Sequence, residues 1–372
     1  MKKLTLQEKQ QTAEALLHRI KDLHTEGENI RLMEVCGTHT VAIFREGLRQ
    51  VLPKGIELVS GPGCPVCVTD QVYMDKALAY AEMDDVIIAT FGDMLKVPGS
   101  YSSLTEAQTK GAHIHVIYTP LEVLTLGKQY PHKKIVFLAI GFETTIAVIG
   151  ATVKAVAEAG LRNVFFLVSH KLVPPALRAL LDRQVGQIDG FILPGHVSVI
   201  IGEQPYAFLP MEYAIPSCIA GFDGVEVLSA VLNILDQRHR GRFEVGNTYH
   251  SVVMQEGNLV AQQLMDEVYD ICDDTWRGIG VIPNSGLKLS EAYAHLDVEK
   301  MIPITLDKPS LDPKGCQCGR VLQGLIKPNE CPLFGKACTP DHAIGACMVS
   351  VEGSCAAWYK YGYASGGLSW EE

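Results

Sequence analysis

The 372-residue sequence has no apolar run long enough to cross a membrane. A spanning helix needs about 20 predominantly apolar residues, whereas the most apolar stretches, 134–141 and 164–168, are of strand length. A basic block is missing as well, and the formal net charge is -10. Nucleic acid and anionic bilayers are bound through a basic face, so neither partner is expected. Charges in the helix-like segment 12–24 rule out the apolar core of a secretory leader, which points to a cytoplasmic protein. Neither GxGxxG nor GxxxxGK followed by Ser or Thr occurs, so nothing supports nucleotide use.

Cysteine, in contrast, is plentiful and unevenly placed. Of the 11 cysteines, six lie between Cys316 and Cys355. Three more stand in Glu34-Val35-Cys36-Gly37-Thr38-His39-Thr40 and Gly61-Pro62-Gly63-Cys64-Pro65-Val66-Cys67. An odd count in a long chain of cytosolic character points away from a disulfide framework and toward metal binding or redox catalysis. The segregation suggests two separate thiol sites of different chemistry. Cys218 and Cys272 stand alone and read as buried or incidental thiols.

With 47% hydrophobic and 20% charged residues, the chain can bury a sizeable core divided among two or three domains. Short apolar runs at 56–60, 86–90, 114–118, 134–140, 164–168 and 190–193 alternate with helical patterns at 71–83, 103–110, 144–159 and 175–183. This is the βα rhythm of a parallel sheet. The expected fold class is therefore α/β: two Rossmann-like parallel-sheet units plus a mostly helical, irregular C-terminal iron–sulfur domain. Residues 1–128 would form an N-terminal helix and the first unit, 129–222 the second, and 223–372 the C-terminal domain. Helices are expected there at 225–238 and 259–272. Its Cys-, Gly- and Pro-rich end suggests that a metal cluster substitutes for apolar core.

Four thiolates converging on one point can hold a cubane iron–sulfur cluster, and short loops with Gly and Pro can deliver them. Cys316, Cys318, Cys331, Cys338, Cys347 and Cys355 are two more than needed, so a redox dithiol beside the cluster is possible; spacing does not say which two. Zinc also takes four thiolates, but the paired CxxC knuckles of a zinc ribbon are absent. Cys64 and Cys67 form a CxxC after a predicted strand, a setting that resembles a redox dithiol or half of a metal site. Cys36 follows another strand, with His39 as its proton acceptor or as a capping or buried histidine. Glu143 in Gly141-Phe142-Glu143-Thr144-Thr145 either caps a helix or presents a carboxylate to a cleft. Ser169-His170-Lys171 and Pro194-Gly195-His196-Val197-Ser198 also follow strands, where ligand-binding loops gather.

These motifs occur together and in one order, with Gly345-Ala346-Cys347-Met348-Val349-Ser350 as the last. The chain thereby resembles the HypD family of [NiFe]-hydrogenase maturation proteins over nearly its whole length. The resemblance implies a scaffold, working with the small partner HypC, on which iron acquires two cyanides and one carbon monoxide. The resulting Fe(CN)2CO group goes to the hydrogenase large subunit, and cyanide comes from HypE with HypF. By position, Cys36, Cys64 and Cys67 would hold the iron under assembly, with His39 and Glu143 handling protons nearby. The C-terminal cysteines would carry a [4Fe-4S] cluster through Cys316, Cys331, Cys338 and Cys355, with Cys318 and Cys347 as the adjacent redox pair. Exposed loops around Cys36 and Cys64 would form the partner surface. Departures from the family pattern, Ile146-Ala147-Val148 without a proline and Ser169 in place of an asparagine, lie outside the cysteine sites.

Two other readings compete. A free-standing cluster-dependent thiol–disulfide oxidoreductase would use the CxxC without needing Cys36. A structural zinc protein would leave all N-terminal thiols incidental.

Overall fold

A computed structural model describes residues 5–184 and 186–362. The chain forms two sheets. The first comprises β1 (Ile30–Glu34), β2 (Ile56–Ser60), β7 (Gly190–Pro194), β8 (Ser217–Ala220) and β9 (Val245–Asn247), in the order β2-β1-β7-β8-β9 and all parallel. The second comprises β3 (Val86–Thr90), β4 (Ile114–Val116), β5 (Lys134–Gly141), β6 (Val164–Lys171), β10 (Tyr269–Trp276) and β11 (Gly280–Leu289), in the order β4-β3-β5-β6-β11-β10. Its first four strands are parallel, and the hairpin β10–β11 adds antiparallel to β6.

The fold class is the α/β one expected, but strand pairing cuts across the sequential division at 128 and 222. The chain builds β1 and β2, leaves to make β3 to β6, and returns to make β7 to β9 on the first sheet. Neighbouring strands in a parallel sheet need only a crossover between them, and that crossover can carry a whole second sheet. Periodicity reports the strands and not their partners.

Alternation along the strands sorts the core into three layers. Met33 and Val59 on the first sheet, and Val86, Ile88, Val136 and Leu138 on the second, share one central core. Ile30, Leu32 and Leu58 face the opposite way, toward helices Leu6–Leu23 and Gly224–Arg240. Ile87, Ala89, Phe137 and Ala139 face an outer layer that includes helix Glu143–Glu158. Capping boxes of Thr5 with Glu8 and of Asp223 with Glu226 start the two long helices on the first sheet.

The pattern expected as a helix over 259–272 stops at Val268, where Tyr269 begins β10. β10 is an edge strand with an acidic, half-exposed sequence, so it lacks the apolar signature of a buried strand. Beyond Met301 the described chain is short turns and helices of three to five residues, which carry the six clustered cysteines. No helix among the described residues is long and apolar enough to cross a membrane. Met1–Leu4, the start of the N-terminal stretch read above, lie outside the described residues.

Candidate thiol centre

β1, β2, β7 and β8 are parallel, so their carboxyl ends open on one edge, the place where such sheets bind ligands. Gly61 N–H donates to the Glu34 carbonyl at 2.8 Å and Gly37 N–H to the Gly63 carbonyl at 3.1 Å. A Cβ on Gly63 would overlap the backbone of Val35 and Cys36. Glycine therefore lets the GPGCPVC loop lie directly on the CGTH loop, and Cys36 becomes a neighbour of the CxxC.

Cys36 caps helix Gly37–Arg45 and Cys64 caps helix Pro65–Val68. Burial pushes the Cys36 thiol up to about 12, and the Glu352 carboxylate adds to this; the N–H groups of His39 and Thr38 favour the thiolate but are outweighed. Cys64 and Cys67 are joined as a disulfide with Cα atoms 5.2 Å apart, and Cys64 Sγ accepts the Cys67 N–H at 3.2 Å. Below Cys36, buried Glu34 accepts its N–H at 3.2 Å and the Thr40 hydroxyl. Burial raises this carboxyl to about 7.

His39 is fully buried. Its Nε2–H donates to the carbonyls of Gly221 at 2.9 Å and Ala220 at 3.3 Å, where β8 ends. Its ring stacks on Phe222 at 4.9 Å, and Phe222 also stacks on His196 at 3.9 Å. Burial lowers its pKa to about 4, so the ring is neutral near pH 7. The hydrogen bonds place His39 as an anchor between the CGTH helix and the end of β8, and Nδ1 has no partner. Glu143 opens helix Glu143–Glu158 on the edge of the second sheet. Its Oε1 accepts Val173 N–H at 2.8 Å, its Oε2 is unpartnered, and burial raises it to about 7. Buried Tyr206 meets the Ser198 hydroxyl at 3.4 Å and lies within electrostatic reach of both Glu143 and Cys36. No sequence motif singled it out.

The C-terminal thiols converge. Cys316 contacts Cys318, and Cys318 contacts both Cys347 and Cys355, which also contact each other. The hydrogen bonds from Cys318 and Cys355 favour the thiolate of Cys347, against burial. A Cβ on Gly345 would lie 2.6 Å from Cys316 Sγ and 2.7 Å from Cys318 Sγ, so the glycine leaves open the space beside both sulfurs. Cys338 Sγ accepts Ile344 N–H at 3.4 Å within the same loop. Cys331, half-buried, ends the turn Pro328–Glu330. The thiols that touch are thus Cys316, Cys318, Cys347 and Cys355, a grouping that crosses the expected division into ligands and redox pair. Among the described residues no three such groups already stand in ligating geometry; the four form a chain of contacts from Cys316 through Cys318 to Cys347 and Cys355, and four thiolates is the number a cubane cluster takes.

The two thiol regions, segregated in sequence, are docked on each other. Helix Ala346–Val349 packs on Pro65–Val68, and helix Ser354–Ala357 packs on Gly37–Arg45. Thr38 Oγ1 donates to Glu352 at 3.2 Å and Ser350 Oγ to Asp93 at 2.9 Å. A Cβ on Gly37 would overlap the Glu352 carbonyl. The loops expected at the surface are consequently covered: Cys36 is 9% exposed, Cys64 2% and Cys67 0%. Arg277, in the β10–β11 turn, was not singled out by any motif. Its buried guanidinium donates to the Thr69 carbonyl at 2.7 Å and Gln71 Oε1 at 2.8 Å, just beyond the CxxC, and its charge reaches Cys347 and Cys316.

The HypD family model, described as "Hydrogenase formation hypA family", matches residues 11–362. The chain belongs to the HypD family. It is 42% identical over 358 residues to the hydrogenase expression/formation protein HupD of Azotobacter chroococcum mcd 1, covering 94% of each chain. To the hydrogenase maturation factor HypD of Escherichia coli K12 it is 40% identical over 353 residues, again with 94% of each covered. An archaeal relative, the putative hydrogenase expression/formation protein MJ0993 of Methanocaldococcus jannaschii, is 41% identical over 345 residues, covering 93% of this chain and 96% of its own. HypD proteins are hydrogenase maturation factors, and the buried edge of cysteines described above lies inside the matched span.

Proposed function

We propose that the chain is the scaffold on which the iron of a [NiFe]-hydrogenase acquires its two cyanides and carbon monoxide. The observation that carries this reading is the overlap-free fit of Gly63 on the Cys36 backbone, which sets a lone thiol beside a CxxC on one sheet edge. Thiolates are good donors to low-spin iron, and once the Cys64–Cys67 disulfide opens, Cys36, Cys64 and Cys67 could receive it as substrate. Cys36, the most accessible of the three, is the thiol that a small HypC-type partner would share, while a HypE-type partner, supplied by HypF, brings cyanide. The finished group passes to the hydrogenase large subunit.

A [4Fe-4S] cluster, held by four of the converging C-terminal thiols, would supply single electrons. Cys64 and Cys67 take two electrons and two protons when their disulfide opens to two thiols, and return them when it closes. Arg277 fixes the segment after the CxxC, and Glu34 holds the Cys36 backbone. The disulfide by itself also suits a free-standing thiol reductase, which differs in having no use for Cys36.

The test is an infrared spectrum of anaerobically purified protein co-expressed with its partners, in the region of metal-bound cyanide and carbon monoxide. Bands in the wild type that vanish in Cys36→Ala, with the brown cluster absorbance intact, would support the scaffold. Equal loss of bands and cluster in that variant would sink the two-site division, and a brown, band-free wild type would favour the reductase.

A further inference from the structure

A cavity of about 160 Å³, lined by no cysteine, lies between the end of β2 and the C-terminal segment. Arg49, Lys327, Ser60 and Trp358 line it, with the Arg31–Glu57 pair on its wall. Arg31 is spent: its guanidinium donates to Glu57 at 2.9 Å and to the carbonyls of Gln187 and Gly324. Glu57 is spent too, since its other oxygen takes Lys327 Nζ at 2.8 Å. Glu330 accepts the Lys327 N–H at 2.6 Å. Three cations thus face two carboxylates that already have partners.

Arg49 is different. Its guanidinium lies over the rings of Phe44 at 4.8 Å and Trp358 at 5.2 Å, and one nitrogen donates to the Leu58 carbonyl. Its Nε and Nη2 are buried and have no partner, and neither has Trp358 Nε1. Buried donors on a cation are costly if left unsatisfied, so natural proteins rarely leave them so. An Nε and Nη edge is the fork that grips two oxygens of a planar or tetrahedral oxyanion. Glu34 lies behind Arg49 but spends its oxygens on Thr40 and Cys36.

We propose that this cavity is a binding site for a small inorganic oxyanion of the phosphate or sulfate class, gripped by the free edge of Arg49 and by Trp358 Nε1. The site is independent of the iron reading. An anion there would tie β2 and the helix of Arg49 to the segment that carries Lys327 and Trp358, and so clamp the cysteine-rich end onto the first sheet.

The full chain, purified anaerobically in chloride and HEPES, would be titrated calorimetrically with phosphate, sulfate and acetate. One-to-one binding of phosphate or sulfate is expected. Arg49→Lys, which keeps a cation over the rings but loses the fork, should weaken it about tenfold or more, and Trp358→Phe severalfold, as loss of a hydrogen bond to a charged group does. Trp358→Phe keeps the ring and guards against a folding artefact, checked by unchanged circular dichroism. No heat at tens of millimolar of either oxyanion, or equal affinity in wild type and both variants, would overturn the proposal. So would binding of acetate alone, which would assign the cavity to a protein carboxylate.

Discussion

Gly63 rests on the backbone of Cys36 with no room for a single added carbon, and this contact joins the two halves of the N-terminal thiol site. Gly63→Ala should force the loops apart at a cost of about 1–3 kcal/mol, as overpacking does. The unfolding free energy from denaturant titration should fall by that amount and the metal-bound cyanide bands should disappear. A variant that loses stability but keeps full-strength bands would show that the contact serves folding alone.

Gly345→Ala places a methyl group beside the sulfurs of Cys316 and Cys318. Iron content and visible absorbance of the anaerobic protein should drop sharply, while far-ultraviolet circular dichroism stays the same. Full iron loading in this variant would remove the cluster from that space.

Arg277→Lys keeps the charge but gives up the fork on Thr69 and Gln71. Loss of buried charged hydrogen bonds of this kind costs about 2 kcal/mol or more. The segment after Cys67 should loosen, and the Cys64–Cys67 disulfide should be reduced faster by a small thiol, followed by alkylation and mass spectrometry. An unchanged reduction rate would confine Arg277 to a purely structural role.

Glu143 gives a signed pH dependence. Its carboxyl is raised from an ordinary value near 4.5 to about 7 by burial, so the folded chain binds more protons than the unfolded chain between those values. That contribution is fully present below about pH 4.5 and is lost as pH rises through 7, at about 1.4 kcal/mol per pH unit. Glu34 acts in the same direction. His39 and His170, both lowered by burial, act in the opposite one. The difference between Glu143→Gln and wild type isolates the one group: the variant should gain relative stability from pH 5 to 7, because its carbonyl can still accept the Val173 N–H. Parallel stability curves would mean that Glu143 titrates normally.

Strands β2 to β7 were legible because parallel strands buried on both faces carry long apolar runs, as in β5 and β6, although β4 stops at Val116 and β6 runs on to Lys171; β8, β9 and β11 were not read. The cysteines, His39 and Glu143 were legible because the motifs are local and resemble a known family. Edge strand β10 was not, since its acidic sequence carries no burial signal. Tyr206 and Arg277 escaped notice because a single buried polar residue acquires its role only from partners distant in sequence: Arg277 meets Gln71, and Tyr206 is within electrostatic reach of Glu143 and Cys36.

By itself the sequence determined the α/β class, the strands β2 to β7 with helices between them, the two groups of thiols and the family. These depend on periodicity, turn residues and short motifs, which act over a few residues. Only the tertiary structure decided that the first sheet closes across a second one, that Cys36 and the CxxC lie buried beneath the cysteine-rich end, and which C-terminal thiols touch. The outcomes at the thiols depend on close approach at Gly37, Gly63 and Gly345, in the first case to Glu352 near the far end of the described chain, and steric fit over such separations leaves no periodic trace in the chain.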